Sequence, residues 1–380
     1  MKQYHNLLQE ILDKGTHKDA ARENLPGTTS LFGHQMKFNL SRGFPLLTTK
    51  EVSLKNIAVE LIWFLKGESN IKYLVDNGVK IWNQDSFNFY IKKCNQQNIS
   101  APISFELFCN YIKNAKDVGE LEQDSIRNST VSNNALIPKD YKLGDTGVQY
   151  PRLWRKWEGK VTLERDNEVG LYMPNIEYID QIANLIEGLE LNPLSRRHIL
   201  TAWDPANLDN LALNTCHAFV QFNCRPLTFE EKIDWAKRNI DPDLFENLYI
   251  TELAASDKCP KYYLDCHMYQ RSMDTVLGCP YNIASYSLLI HMLCKAINMI
   301  PGIFIHSVGD AHIYDDHLPQ VREILAREPK RLPTLELSND IDWKQAILSG
   351  EIDWKDITNS LENYNPDAKI KAELFTGLIK

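Results

Sequence analysis

Residues 285–305 read SYSLLIHMLCKAINMIPGIFI, the most apolar stretch of the chain, and this stretch limits what the chain can fold into. A run so apolar must be covered on all sides. It carries His291, Lys295 and Asn298 and is interrupted by Pro301 and Gly302, which fits a buried helix running into a buried strand better than a membrane span. Other segments supply the cover. Strand-like runs (HAFVQFN, YYLDCHMYQ, GIFIHSV) alternate with helix-like ones (PNIEYIDQIANLIEGLE, NIASYSLLIHMLCKAI). That alternation, in a 380-residue chain that is 43% hydrophobic, argues for an α/β or α+β architecture around one main sheet.

The N-terminal part adds an amphipathic helix pattern, MKQYHNLLQEILDKG, whose scattered charges do not match a signal peptide. FGHQMKFNL reads as a strand, FPLLTT as a turn entry, and LKNIAVELIWFLKG as a helix ending at Gly67. Composition turns polar over about 83–143, with a helix candidate around SFELFCNYI, and again over about 225–262. In the second segment Thr228 and Glu231 stand at capping-box spacing. Both segments read as helical insertions into a single domain spanning 1–380.

The net charge of −8 disfavours nucleic acid or anionic membrane as a bulk partner. Eight cysteines occur without a C-x-x-C pair, which points to free thiols in a reducing cytoplasm and to no metal site.

Candidate chemistry centres on NTCHAFVQFNCR, where Cys216 and His217 are adjacent. In an extended strand neighbours face opposite ways. Cys216 is then expected with Ala218, Val220 and Phe222, and His217 with Phe219, Gln221 and Asn223. Adjacency therefore works against a Cys–His couple, and a buried thiol acting as a small hydrophobe is the competing reading. A reactive Cys216 needs its thiolate stabilised, with arginine the natural candidate. Arg196 and Arg197 in LSRRHILTAW, and Arg271 with Ser272 in YQRSMD, suit a phosphate through paired charge-assisted hydrogen bonds. Glu60, set among Val59, Leu61, Ile62, Trp63 and Phe64, is either on a helix's polar stripe or in an apolar pocket with a raised pKa. His312 and Tyr314, two apart, share a face if extended. Neither a P-loop nor a G-x-G-x-x-G fingerprint is present.

Ten ordered blocks resemble the folate-dependent thymidylate synthase family: MKQYHNLLQEILDKGT, FGHQMKFNL, RGFPLLTTK, VELIWFLKGESNIKYL, GVKIWN, SRRHILTAW, CHAFVQF, YQRSMDTVLGCPYNIASYSLL, GDAHIYDDH and YNPDAKIKA. The resemblance implies one α/β domain with a mixed β-sheet flanked by helices, packed sheet to sheet in a homodimer. It implies deoxyuridine monophosphate (dUMP) as substrate and 5,10-methylenetetrahydrofolate as co-substrate, with no metal. Cys216 is then the nucleophile that adds to carbon 6 of uracil. Glu60 handles protons through water, Tyr150 orders water for removal of the carbon 5 proton, and His217 sits in the network behind the base. Asn282 reads the pyrimidine edge, accepting from the ring N–H and donating to the carbonyl. Arg22, Gln270, Arg271 and Ser272 contribute to nucleotide binding from one subunit, while Arg196 and Arg197 reach in from the other. His312 and Tyr314 hold the sugar hydroxyl. Ile81, Trp82, Asp274, Gly278 and Tyr281 flank the folate.

The chain departs from the family pattern in places. Thr215 stands where the family usually has proline, and Asp85 where it has a second tryptophan. Glu51 and Ser53 replace a basic residue and a histidine, and the tail IKAELFTGLIK is longer than usual. These departures leave two outcomes for the methylene intermediate: hydride transfer, giving thymidylate, or attack by water, giving a hydroxymethyl nucleotide. Trp82 favours hydride; Asp85 and the tail favour water.

Overall fold

The computed structural model describes residues 1–20, 25–99, 102–121, 138, 141–165, 172–239, 252–256 and 258–375. Six strands form one mixed sheet in the order β1-β2-β8-β7-β6-β5. They are β1 (Thr16–Lys18), β2 (Thr28–Asn39), β5 (Ile199–Thr201), β6 (His217–Pro226), β7 (Tyr262–Asp274) and β8 (Ile300–Tyr314). β7 and β8 run parallel, and the other neighbouring pairs run antiparallel. A parallel pair needs a crossover, and the apolar stretch provides it. Its helix, Gly278–Ala296, is buried along most of its length, and the chain then enters β8 through Pro301 and Gly302.

One sheet face is core. Met36 and Phe38 on β2, Phe304 and Val308 on β8, Leu264, Cys266 and Met268 on β7, and Val220 and Phe222 on β6 are all buried. Helices Lys2–Lys14 and Gly278–Ala296 pack against it, and Leu54–Lys66 packs against Gly278–Ala296. In the first, Tyr4, Leu7, Leu8 and Ile11 are buried, the spacing of one helical stripe. The opposite face exposes Phe219 and Tyr269. Among the described residues no helix is long and apolar enough to cross a membrane.

Helix Leu54–Lys66 is bounded as its sequence predicts. Ser53 caps its start by accepting from the Asn56 N–H (3.2 Å), and Gly67 ends it in the left-handed region at φ 72°. A Cβ at Gly67 would lie 2.8 Å from Arg155 Cβ. The Arg155 guanidinium in turn donates to the carbonyls of Leu65, Ile347 and Leu348 and to the Asp180 carboxylate. It thereby satisfies helix-end acceptors that would otherwise be orphaned.

Helices Asn83–Gln96 and Phe105–Asn114 lie within the polar 83–143 stretch. The capping box at Thr228 and Glu231 forms in both directions: the Thr228 N–H donates to Glu231 Oε2 (2.9 Å) and the Glu231 N–H to Thr228 Oγ1 (3.2 Å).

Two expectations need correction. PNIEYIDQIANLIEGLE is not one helix: its first part belongs to β4 (Tyr172–Ile179), paired antiparallel with β3 (Trp157–Arg165) as a separate ribbon. The helix begins at Gln181, where Asp180 accepts from the Ala183 N–H (3.0 Å); a cap in mid-pattern separates the two elements. The alternation expected along β6 also fails at its start. The pairs His217↔Gln270 and Phe219↔Tyr269 enclose one extra residue on β6, a β-bulge. His217 is consequently buried, as are Val220 and Phe222, while Phe219 points out.

Candidate active site

The parallel pairing of β7 and β8 sets two site segments side by side: Ser272 pairs with Asp310, and Asp274 with His312. Both segments lie toward the carboxyl ends of their strands, where open α/β sheets hold ligands. β6 starts beside them, so Cys216 is delivered to the same end. The Arg271 N–H donates to the Cys216 carbonyl (2.9 Å).

Cys216 precedes β6, and its backbone is fixed by Tyr150, the first residue of helix Tyr150–Arg155. Tyr150 Oη accepts from the N–H of Cys216 (2.6 Å) and of His217 (3.1 Å). Arg271 holds the segment leading to Cys216, donating through Nε to the Thr215 carbonyl (2.9 Å) and through Nη2 to the Asn214 carbonyl (2.7 Å). Thr215 fits where proline was expected, because its hydroxyl donates to the Ala202 carbonyl (2.6 Å).

Burial pushes the Cys216 thiol up, Arg271 pulls it down and Asp85 pushes it up again, for a net rise. Arginine support is therefore present, but it does not prevail in the free protein. Burial likewise drives His217 down to about 4 against an upward pull from the neighbouring Asn282. His217 is therefore neutral at pH 7, and its backbone N–H, like that of Cys216, is held by Tyr150 Oη.

Trp82 joins this group to Glu60. Its indole N–H donates to Glu60 Oε1 (2.7 Å), and its ring lies 6.3 Å from that of Tyr150. Burial raises Glu60 to about 7, although the Trp82 hydrogen bond works the other way. This is the apolar-pocket alternative for Glu60, and it suits proton transfer near neutrality.

Asn282, on the crossover helix, is oriented by Gln270. Gln270 Nε2 donates to Asn282 Oδ1 (3.1 Å) and to the Ser272 carbonyl (3.0 Å), while Gln270 Oε1 bonds His306 Nε2 (2.9 Å). Gln270 is 3% exposed, so it is a buried support behind the Asn282 amide.

His312 and Tyr314 share one face of β8, their rings 5.0 Å apart. Sequence reasoning missed Asp310, which bonds His312 Nδ1 (3.0 Å) and takes an ion pair from Lys18 (2.5 Å). The His312 hydrogen bond, followed by Lys18, holds Asp310 down to about 2. Two-residue spacing on a strand was the signal that could have revealed it. The tail reaches this end as well: Phe375 packs 4.8 Å from Tyr314, and His317 Nε2 bonds the Glu373 carbonyl (2.9 Å).

The remaining candidates divide. Ile81 and Tyr281 are partly buried and pack against the core; Trp82 is 7% exposed. Asp274 Oδ1 accepts from the N–H of Val276 (2.8 Å) and Leu277 (3.2 Å), just before Gly278 opens its helix. Arg196 and Arg197 are exposed, and among the described residues neither bonds Cys216; Arg196 instead accepts from Gln221 Nε2 at its carbonyl (3.1 Å). Arg22 lies outside the described residues.

Comparison with known proteins agrees with this arrangement. Residues 2–376 match the family model described as thymidylate synthase. A thymidylate synthase of Listeria monocytogenes serovar 1/2a is 36% identical over 98% of this chain and 99% of its own length. One from Listeria innocua serovar 6a is also 36% identical with the same coverage. One from Staphylococcus haemolyticus is 34% identical over 91% of this chain and 93% of its own length. Full-length likeness and a site that gathers Cys216, Glu60, Tyr150, Arg271 and Asn282 lead to one conclusion: the chain belongs to the thymidylate synthase family.

Proposed function

We propose that the chain reductively methylates dUMP to dTMP, with Cys216 as the nucleophile. The observation that carries this is the continuous set of contacts from Glu60 through Trp82 and Tyr150 to Cys216, with Asn282 beside His217. The Cys216 sulfur adds to carbon 6 of uracil, and the electron pair moves onto carbon 5 and the carbon 4 carbonyl. Asn282, its Oδ1 oriented by Gln270, reads the pyrimidine edge. Glu60, with a pKa near neutrality, moves protons at the ring through water, and Tyr150 orders water for removal of the carbon 5 proton. Elimination of the Cys216 thiolate closes the cycle. Bound 5,10-methylenetetrahydrofolate supplies the one-carbon unit and the hydride.

The donor set fits that co-substrate. Asp274 spends Oδ1 on two backbone N–H groups, and its other oxygen can accept from a pterin N–H. Ile81, Trp82, Gly278 and Tyr281 supply the flanking surface. Arg271 and Ser272 suit the nucleotide phosphate, and His312 with Tyr314 the sugar hydroxyl. The full-length likeness to proteins named thymidylate synthase favours hydride over water as the final step.

A homodimer completes the site in this reading. Phe219, Tyr269, Ile199 and Trp203 are exposed at 36–42%, an apolar set suited to a second sheet. Arg196 and Arg197, both exposed, reach the partner's phosphate site in this reading. All eight cysteines are free thiols, consistent with work in a reducing cytoplasm.

The test is to incubate enzyme with dUMP and methylenetetrahydrofolate, identify the nucleotide by mass and follow dihydrofolate absorbance. A hydroxymethyl product without dihydrofolate overturns the hydride step. Cys216→Ser is expected to abolish tritium release from 5-tritiated dUMP; unchanged release overturns the covalent mechanism.

A further inference from the structure

His306 lies on β8 between Met268 of β7 and Met36 of β2, fully buried, with its ring stacked on Phe304 at 5.7 Å. Its Nε2 lies 2.9 Å from Gln270 Oε1, and Gln270 Nε2 donates to the Ser272 carbonyl (3.0 Å) and to Asn282 Oδ1 (3.1 Å). Asn282 is partly exposed, so the row His306–Gln270–Asn282 runs from the core out to the cleft. The Ser272 carbonyl decides its polarity. A backbone carbonyl only accepts, so the amide atom facing it is the Gln270 nitrogen and the atom facing His306 is the oxygen. His306 must therefore donate through its Nε2–H. Burial holds the ring at about 3, which keeps it neutral, with one nitrogen bearing the proton. Its Nδ1 has no partner among the described residues, and a proton there would be a buried donor left unpaired.

We propose that His306 is a specificity-determining positioning residue: from the core it fixes, through Gln270, the one orientation of the Asn282 amide that accepts uracil and refuses cytosine. This rests on Asn282 as the base-reading group of the proposed function. The uracil edge offers a ring N–H and a carbonyl. The cytosine edge has the opposite polarity at both positions, a bare ring nitrogen and an amino group, and would suit the same amide turned by 180°. That turn sets Asn282 Nδ2 against Gln270 Nε2, two donors face to face. Gln270 cannot turn in answer, because its oxygen would then meet the Ser272 carbonyl and its nitrogen the His306 N–H. The single proton on His306 thus holds a choice made two side chains away.

The test is the ratio of dUMP to dCMP affinity, measured on the full chain by competition binding. His306→Leu removes the donor and keeps the site apolar; its preference for dUMP is expected to fall about tenfold, the loss of one buried hydrogen bond. His306→Gln places an amide N–H near the position of Nε2 and is expected to restore the wild-type ratio. A merely structural role would weaken both nucleotides alike, so an unmoved ratio in His306→Leu overturns the proposal. Should that variant fail to fold, nitrogen-15 NMR of the wild type at pH 7.5 decides, with the His306 signals identified by their absence from His306→Gln. A proton on Nε2 supports the proposal, and a proton on Nδ1 overturns it. A wild type that prefers dUMP but forms no dTMP refutes the proposed chemistry and leaves this inference standing; a wild type without preference overturns both.

Discussion

Replacing Tyr150 by Phe removes one oxygen and almost no packing. The ring keeps its neighbours Phe64 (4.9 Å), His217 (5.2 Å) and Trp82 (6.3 Å). What is lost is the acceptor for two backbone donors, the N–H groups of Cys216 and His217. A buried donor left unsatisfied costs about 1–3 kcal/mol. His217 is 9% exposed and bears that cost in full, whereas the partly exposed Cys216 can recruit water. The sum is expected near the low end, about 2 kcal/mol. Urea unfolding reads it as a lower midpoint at unchanged slope. Turnover is expected to fall further than stability does, by a factor on the order of 100, because the same oxygen fixes the backbone that carries Cys216, the proposed nucleophile. Stability within about 0.5 kcal/mol of wild type, together with normal tritium release from 5-tritiated dUMP, would show that Tyr150 does not hold this segment.

Trp82→Phe removes the donor that lowers the Glu60 pKa. The ionisation of Glu60, neutral below about 7 and charged above it, is expected to move to higher pH in the rate profile, and Glu60→Gln should erase it. Gln270→Ala leaves Asn282 Oδ1 and His306 Nε2 without their partner; about 1–3 kcal/mol of stability and much of the selectivity for uracil over cytosine nucleotides should be lost, measured by denaturation and by competition binding. Burial lowers His217 to about 4 and His306 to about 3. The unfolded chain therefore binds protons that the fold refuses, and stability falls as pH drops below about 6.5, levelling near pH 3. Calorimetry from pH 7 to 3 checks this, and His306→Gln should flatten the curve.

Much of the architecture is legible in local pattern. The crossover helix, β7, β8 and the helix ending at Gly67 are long, strongly periodic elements with visible stops, and Ser53 and Gly67 cap as their types dictate. Glu60 is legible as well, since a carboxylate amid five apolar residues has few explanations. The β6 bulge is not, because a single extra residue leaves no trace in the alternation and is visible only in the register against β7. That one residue reverses the expected side of His217. The supporting roles of Gln270, Asp310 and Arg155 depend on partners far along the chain, which local spacing cannot supply. The end of β4 hides inside a run whose composition also suits a helix.

The strand order carries a consequence for how the molecule is made. β2 is synthesised early but lies against β8, so Ser30 meets Asp310, 280 residues later. At typical synthesis rates that is a wait of roughly 15–60 s, during which the N-terminal strand has no partner on its β8 side. Pairing at such separation is slow to nucleate. A chain stalled before β8 would hold two unpaired edges, on β2 and β7, and neither His312 nor Tyr314. Unpaired edges invite pairing with other chains, so β8, the last strand of the main sheet, both brings in His312 and Tyr314 and ends the period in which the nascent chain is open to aggregation.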